Sequence, residues 1–172
     1  MGTILLGLLT TWGIVSTYKL RQARILMMTD PLTRTYNRRW LEGRDTTKNI
    51  YTAVLYFDMD NFKYINDTKG HGAGDSALEY LVDTIKLYSR RTDTVVRVGG
   101  DEFLLVCPGA HYTDLEDTIT SINAALANVG LSVTVGKAGA STKHQPNLRK
   151  LIEEAEINMR LEKAIHRRKA HG

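Results

Sequence analysis

The stretch RVGGDEF, residues 97–103, places two glycines and two acidic residues between two apolar segments. TVVRV before the glycines and EFLLVC after them are rich in β-branched and apolar residues, which predicts a β-hairpin. A turn that needs positive φ would explain Gly99 and Gly100. Asp101 and Glu102 repel each other at the tip of this hairpin unless a cation offsets their charge. The stretch therefore predicts a hairpin with a cation beside its turn.

A second strand brings further carboxylates. YTAVLYFD, residues 51–58, is typical of a buried strand that ends at Asp58, and Asp60 follows it. If this strand lies beside the hairpin, three or four carboxylate oxygens converge at one end of the sheet, which favours Mg²⁺. The alternative is a solvated acidic loop, which composition alone favours.

Possible phosphate ligands follow the same strand. DMDNFKYIND begins a helix, so the free N–H groups around Met59 to Phe62 are expected to bind an anion, with Lys63 close by. Lys163 and Arg167 are four residues apart near the C-terminus and share one helical face, where they could clamp a polyphosphate. Taken alone, such a pair is more often a solvated face.

The other segments complete the predicted fold. A helix is expected to begin at Asp30 and Pro31 and to run through RRWLEGR. SALEYLVDTIKLYSR predicts an amphipathic helix, with its apolar face at Leu78, Leu81, Val82, Ile85 and Leu87. A helix over LEDTITSINAALANV, a strand over LSVTVGKAG and a helix over NLRKLIEEAEINMRLEKAIHRR follow. This order predicts an α+β fold with helices packed on a mostly antiparallel sheet.

The N-terminal segment has the composition of a membrane anchor. Residues 1–18 carry no charge, and as a helix they would be about 27 Å long, enough to cross a bilayer core. Lys19, Arg21 and Arg24 follow, which places the C-terminal bulk in the cytoplasm. We predict a transmembrane anchor over 1–18, a helical stalk over 19–29 and a globular domain over 30–172. An amphipathic or buried helix is the alternative for the anchor.

Composition narrows the class of protein. The 172 residues, 42% hydrophobic and 24% charged, describe one globular domain. The net charge of +4 is spread along the chain and aromatics make up only 8%, so we do not expect a nucleic-acid partner. Cys107 is the single cysteine, which excludes an intramolecular disulfide and a cysteine-based zinc site.

Three motifs in order resemble one family. DPLTRTYNRR, FDMDNFKYINDTKGHGAGD and RVGGDEF are similar to the GGDEF domain, the catalytic domain of diguanylate cyclases, from Asp30 to about Arg167. The resemblance implies a palm-like fold shared with nucleotidyl cyclases and polymerases. It implies that two GTP are joined into cyclic di-GMP, with Mg²⁺, or alternatively Mn²⁺, as cofactor. Because each domain offers one GTP pocket, it implies a homodimer. With the anchor, it implies the bacterial cytoplasmic membrane as the location.

The resemblance also implies a role for individual residues. Four residues match the positions that hold the metal in the family: Asp58, Met59 through its carbonyl, Asp101 and Glu102. Asn66 and Asp75 match the positions that recognise the guanine edge. The positions around the triphosphate are matched by Phe62, Lys63, Lys163 and Arg167, while Gly99 and Gly100 would let the nucleotide approach the backbone. We expect Asp101, Glu102 and Lys63 to take part in catalysis.

A further motif lies between the predicted helix and the hairpin. Arg90 and Asp93 form an R-x-x-D motif, with five residues between Asp93 and Gly99, which matches the inhibitory product site of the family. The alternative is an arginine-rich helix C-terminus followed by a polar turn.

Some positions depart from the family pattern. Arg34 replaces the usual glycine, Glu156 the usual aspartate and Arg160 the usual tyrosine. These departures leave the metal carboxylates, glycines, guanine-contacting residues and phosphate cations intact, so we predict an active enzyme. The alternative is a catalytically weak module that binds GTP or cyclic di-GMP as a sensor or dimerisation domain.

Overall fold

The computed structural model describes residues 15–19, 21–23, 25–44, 53–110, 113, 115–140 and 147–170. For residues 169 and 170 it describes the backbone alone. The strands are β1 (Tyr36–Asn37), β2 (Ala53–Met59), β3 (Thr94–Arg97), β4 (Glu102–Cys107) and β5 (Val133–Gly139). The helices are α1 (Arg38–Glu42), α2 (Phe62–Lys69), α3 (His71–Tyr88), α4 (Leu115–Ala127) and α5 (Leu148–Ala170).

The strands form one mixed sheet in the order β1-β3-β4-β2-β5. β1 pairs with β3 in parallel, whereas the three other strand pairs are antiparallel. The prediction of an α+β fold with helices on a mostly antiparallel sheet is confirmed.

Both faces of the sheet are covered, and β2 shows why. All seven of its residues are buried. Leu55 and Phe57 pack with the apolar residues of α3 and α4, whereas Val54 and Tyr56 face the cluster that contains α5. Because successive side chains of a strand point to opposite faces, a strand covered on both sides must be apolar throughout. The carboxylate at Asp58, near the end of this strand, is therefore an exception that needs a reason.

The predicted hairpin is confirmed, but the reason given for its glycines is wrong. β3 and β4 are antiparallel neighbours. Among the described glycines, positive φ occurs at Gly70, Gly109 and Gly130, and not at the glycine pair. A Cβ on Gly99 would lie 2.2 Å from Glu102 Oε2. A side chain at position 99 would therefore require the Glu102 carboxylate to move.

The predicted helix through RRWLEGR is found as α1 (Arg38–Glu42), but its predicted start at Pro31 is wrong, since residues 31–33 form a turn that leads into β1. Asp30 Oδ1 accepts hydrogen bonds from the amide and the hydroxyl of Thr33, both at 2.8 Å. The Arg34 amide donates to Asp30 O at 3.0 Å, and Arg34 itself has a left-handed φ of 56°. These local bonds close the backbone into a turn where a helix would otherwise continue.

One residue of the predicted apolar face of α3 is wrongly placed. Leu78, Leu81, Val82 and Ile85 are buried, but Leu87 is 75% exposed. A helix turns by about 100° per residue, so Leu87 lies about 200° around the axis from Ile85.

The predicted anchor falls mainly on residues 1–14, which lie outside the described residues. Residues 15–19, 21–23 and 25–27 are helical. Within the described part of the chain, no helix has the length and apolar character needed to cross a membrane.

Candidate active site

Two of the predicted metal carboxylates lie opposite each other at one end of the sheet. Asp58 of β2 pairs with Glu102 of β4 in the antiparallel register, so both side chains point to the same face. The Met59 amide donates to Asp101 O at 3.1 Å, which joins the end of β2 to the hairpin tip. The structure therefore brings the carboxylates of Asp58, Asp101 and Glu102 together, as the sequence predicted from two separate strands.

Negative charge accumulates at this end of the sheet. Burial raises the pKa of Asp101, and the neighbouring Asp58 raises it further. Burial likewise raises the pKa of Glu102, with Asp58 and Asp101 adding to the effect. A cation beside these groups would relieve both the desolvation and the repulsion.

The donor set fits a magnesium ion that keeps other ligands. Among the described residues, no three His, Cys, Asp or Glu side chains are arranged to enclose a metal ion by themselves. Mg²⁺ in nucleotide sites is usually held by one or two carboxylates plus water and phosphate oxygens. Asp58 is 8% exposed, and Lys163 Nζ of α5 donates to its Oδ1. A lysine ammonium thus already neutralises part of the charge that a metal would offset.

A cleft of about 480 Å³ opens beside the carboxylates, between the start of α2, the hairpin tip and α5. Its lining includes six of the predicted site residues: Met59, Phe62, Lys63, Asp101, Lys163 and Arg167. It also includes Asp60 and Asn61, which belong to the predicted anion-binding segment, and three residues that the sequence did not single out: Ser132, Thr134 and His166. The predicted phosphate cations therefore line one cleft, although they come from helices about 100 residues apart.

The backbone narrows the predicted anion site to the first turn of α2. The amides of Met59 and Asp60 donate to Asp101 O and Ser132 O at 3.1 and 3.0 Å, so they are engaged. Asn61 precedes α2 with a left-handed φ of 55°, and its side chain makes no capping hydrogen bond. The Ile65 amide closes the first helical turn onto Asn61 O at 3.1 Å. The amides from Phe62 to Tyr64 are therefore the ones that α2 offers to an anion.

The predicted guanine-contacting residues lie on α2 and α3, where Asn66 approaches the residue that precedes Asp75. A Cβ on Gly74 would lie 2.0 Å from Asn66 Oδ1 and 3.2 Å from the Phe62 ring. Asn66 thus packs directly against α3, one residue before the exposed Asp75. Neither Asn66 nor Asp75 lines the 480 Å³ cleft, but Phe62 belongs to both places. Their role toward a base stays a prediction.

Arg97 holds the hairpin tip, a role that sequence reasoning missed. Its Nη1 donates to Asp30 Oδ1 at 3.0 Å and its Nη2 to Gly100 O at 2.6 Å. The guanidinium therefore ties the hairpin tip to the turn that precedes β1. The only sequence signal is its place immediately before Val98 and the glycines, which is too little to assign a partner 67 residues away.

Tyr56 is a second residue that the sequence did not reveal. It is 5% exposed, lies on the same face of β2 as Asp58, and its hydroxyl is hydrogen-bonded to Glu102. Burial raises the pKa of Tyr56, and the nearby Glu102 and Glu156 carboxylates raise it further. Tyr56 therefore stays a neutral phenol that can donate a hydrogen bond to the Glu102 carboxylate.

The R-x-x-D motif forms a closed turn away from the carboxylates. The Arg90 amide donates to Asp93 Oδ2 at 2.9 Å, and the Asp93 amide donates to Arg90 O at 3.0 Å. Both residues line a separate cleft of about 660 Å³ together with Arg34, Lys86 and Arg91. The cationic lining suits an anion, and the inhibitory role stays a prediction.

Comparison with known proteins agrees with this architecture. A family model described as "Diguanylate cyclase, GGDEF domain" matches residues 27–169. The diguanylate cyclase TpbB of Pseudomonas aeruginosa is 34% identical over an alignment of 160 residues that covers 83% of this chain. The alignment covers 36% of that relative, so the chain spans about a third of the length of the cyclase it matches.

Solved structures show the same fold. The GGDEF domain of TpbB from Pseudomonas aeruginosa has a TM-score of 0.70 at 32% identity, covering 79% of this chain and 88% of that one. The coiled coil and GGDEF domain of DgcB from Caulobacter crescentus, in complex with c-di-GMP, has a TM-score of 0.79 at 22% identity and covers 92% of both chains.

Proposed function

The chain belongs to the diguanylate cyclase GGDEF-domain family, and from this we propose that it joins two GTP molecules into cyclic di-GMP and releases two pyrophosphates. The observation that carries the proposal is the pairing of Asp58 with Glu102 beside Asp101, at the mouth of a cleft lined by cations. Carboxylates for a metal and cations for phosphate meet at one place, as phosphoryl transfer requires.

Asp58, the Met59 carbonyl, Asp101 and Glu102 would hold Mg²⁺, with Mn²⁺ as the alternative. The bound metal supplies charge neutralisation at the phosphates and lowers the pKa of the attacking 3′-hydroxyl. Lys163 forms an ion pair with Asp58 in this structure. It is therefore placed at the boundary between the carboxylates and the cleft, where it can contact both the metal site and the phosphates.

The chain itself supplies the binding and orientation of the nucleotide. Lys63 of α2 and Arg167 of α5 both line the cleft and bind the triphosphate, helped by the free amides at the start of α2. Asn66 and Asp75 present the donors and acceptors that a guanine edge needs. An adenine would leave these groups unpaired, which favours GTP over ATP.

Two domains are required for one product. Each cleft belongs to one domain, so a cyclic dinucleotide forms when two clefts face each other across a two-fold axis. The active species is therefore a homodimer. Product bound between Arg90 and Asp93 would inhibit the enzyme, with the arginine on a phosphate.

The membrane assignment rests on the sequence alone. We retain as a proposal that residues 1–18 anchor the chain in the bacterial cytoplasmic membrane, with the catalytic domain in the cytoplasm. Fractionation of cells expressing the full chain tests it: recovery in the membrane pellet supports the anchor, and recovery in the supernatant contradicts it.

The decisive experiment separates turnover from binding. The full chain is incubated with GTP or ATP and Mg²⁺ while pyrophosphate release and nucleotide binding are measured in parallel. The proposal expects pyrophosphate from GTP, little from ATP and none without a divalent metal. Binding of GTP without pyrophosphate at high protein concentration would instead identify a binding module.

A further inference from the structure

The second half of α5 carries exposed apolar side chains on one face. Ile157 and Leu161 are each 58% exposed and Ile165 is 43% exposed. Their spacing of four residues aligns them along the helix. Leu161 and Ile165 also line a groove of about 640 Å³, whose other walls include Ile119 of α4 and Val135 of β5. The three side chains thus form one continuous apolar surface rather than scattered exposed residues.

Opposite charges stand at the two ends of this surface. Glu154 lies seven residues before Leu161 and Arg168 seven residues after it, and both are exposed. Seven residues are about two helical turns, so both charges lie on the same face as Leu161. Along roughly 21 Å of helix, the face changes from acidic through apolar to basic.

This order of residues is complementary to itself when reversed. If two copies of α5 run antiparallel with Leu161 on the two-fold axis, Ile157 of one copy faces Ile165 of the other. Glu154 of each copy then faces Arg168 of the other. A parallel pair would place Glu154 against Glu154 and Arg168 against Arg168, so the charges select the antiparallel arrangement.

We propose that the apolar face of α5, made of Glu154, Ile157, Leu161, Ile165 and Arg168, docks against the same face of a second copy of the chain as an antiparallel helix pair. The surface is distinct from the catalytic cleft. Lys163 lies about 200° around the helix from Leu161, and it contacts Asp58. The pairing uses none of the residues assigned to catalysis or nucleotide binding and does not depend on the proposed cyclase activity.

The expected pair is weak. Three partly exposed side chains on each copy bury less than the ~1,200 Å² that is usual for a stable complex. Pairing should therefore depend on protein concentration, and covalent trapping is the suitable way to detect it.

The native cysteine leaves a clean background for trapping. Cys107 is 2% exposed and burial raises its pKa to about 12, so we expect its thiol to react far more slowly at neutral pH than an exposed one. The test variant is Leu161→Cys in the full chain, because a residue on a two-fold axis lies opposite itself. The matched control is Arg160→Cys, which is exposed on the same helix but lies about 100° around it.

Under mild oxidation, Leu161→Cys is expected to form disulfide-linked dimers several-fold faster than Arg160→Cys. Adding Glu154→Arg to the Leu161→Cys chain should slow the cross-linking, since two like charges then face each other at each end. Adding both Glu154→Arg and Arg168→Glu should restore the rate, because the charge pairs are re-formed in the opposite sense. The slowing should diminish at high salt.

Four results would overturn the proposal. Equal cross-linking of the two cysteine variants would mean that Leu161 does not lie on a two-fold axis. If exchanging both charges did not restore the cross-linking rate, the antiparallel arrangement would be wrong. If Leu161→Cys formed no dimer and the protein by itself resisted a small maleimide, another segment of the chain would cover this surface. If it formed no dimer and resisted the maleimide only when phospholipid vesicles were added, a lipid surface would be the occupant.

Discussion

Asp58 and Glu102 lie directly opposite each other on β2 and β4, with Asp101 immediately beside them. Strand pairing thus holds like charges together at one end of the sheet, where burial raises the pKa of Asp101 and of Glu102. Without a cation this arrangement costs stability, and in the proposed function it supplies the ligands of the metal.

Glu102→Gln separates these two effects. The neutral amide removes repulsion from Asp58 and Asp101, so the metal-free variant should unfold at a higher temperature than the wild type. Its product formation should fall by about 10²-fold or more, since a charge in the reacting site is lost. Thermal unfolding with and without Mg²⁺ checks this, and Asp83→Asn, an exposed carboxylate on α3, is the control. A lower unfolding temperature for Glu102→Gln would contradict the account.

Tyr56→Phe tests how the Glu102 carboxylate is positioned. The variant removes the hydroxyl bonded to Glu102 but keeps the ring in the core. Loss of such an outer contact usually weakens metal affinity by about 10–100-fold, so more Mn²⁺ should be needed for half-saturation. Calorimetric titration with Mn²⁺ measures this directly. Tyr80, 40% exposed on α3, provides the control, and Tyr80→Phe should bind Mn²⁺ like the wild type. Unchanged Mn²⁺ affinity in Tyr56→Phe would show that the Tyr56 hydroxyl does not position the Glu102 carboxylate.

Gly74→Ala should disturb the predicted guanine site. Its new methyl group would lie 2.0 Å from Asn66 Oδ1, so the Asn66 side chain must move from its present position. GTP affinity is expected to fall while the helical circular dichroism is retained. Gly72→Ala is the matched control, because a Cβ there meets nothing within 4 Å and alanine favours the helix. Equal GTP affinity in the two variants would place the base elsewhere.

Asp30 makes the stability depend on pH. Burial raises the pKa of Asp30, but hydrogen bonds from Thr33 and Arg97 outweigh it and hold the pKa below 3.8. Because the pKa of Asp30 is lower in the folded than in the unfolded protein, its ionised carboxylate stabilises the fold. This stabilisation is complete above the pKa of the unfolded state and is lost as the pH falls through the pKa of the folded state.

Asp30→Asn should therefore lose about 1–3 kcal/mol of unfolding free energy at pH 7, the usual cost of disrupting hydrogen bonds to a charged group. Its stability should also fall less than that of the wild type between pH 4 and about pH 2. Urea unfolding at several pH values gives both quantities. Parallel curves for the two proteins would show that another carboxylate is responsible.

Arg34→Gly should stabilise the fold. Arg34 adopts a φ of 56°, which costs a residue with a side chain about 1–2 kcal/mol, whereas glycine adopts it freely. Part of this gain is offset by the greater freedom of glycine in the unfolded chain, so we expect a net gain of about 0.5–1 kcal/mol. Urea unfolding at neutral pH measures it, and no gain would mean that the exposed side chain compensates the strain.

The sequence predicted what depends on periodicity and on short motifs. The hairpin, the buried strand that ends near Asp58 and the amphipathic α3 each have a local pattern, and each was found. The convergence of Asp58 with Asp101 and Glu102 was expected only if the buried strand lies beside the hairpin, which the pairing of β2 with β4 shows.

Long-range contacts and strained backbone were beyond the sequence. The helix expected at Pro31 is replaced by a turn because Asp30 bonds to Thr33 and to Arg97, the latter 67 residues away. The hydrogen bond of Tyr56 to Glu102 depends on a diagonal strand pairing, and an aromatic in a buried strand ordinarily indicates only core packing. The positive φ expected at Gly99 is not found, and the carboxylate of Glu102 instead occupies the space beside this glycine.

The central claim is that Asp58, Asp101 and Glu102 form the metal site of a cyclase. Its most direct test is to identify the nucleotide made from GTP and Mg²⁺ by the full chain, by Asp101→Asn and by Asp83→Asn. The account predicts cyclic di-GMP from the wild type and from Asp83→Asn, and none from Asp101→Asn. Cyclic di-GMP from Asp101→Asn at the wild-type rate, or its absence from the wild type at high protein concentration, would contradict the account.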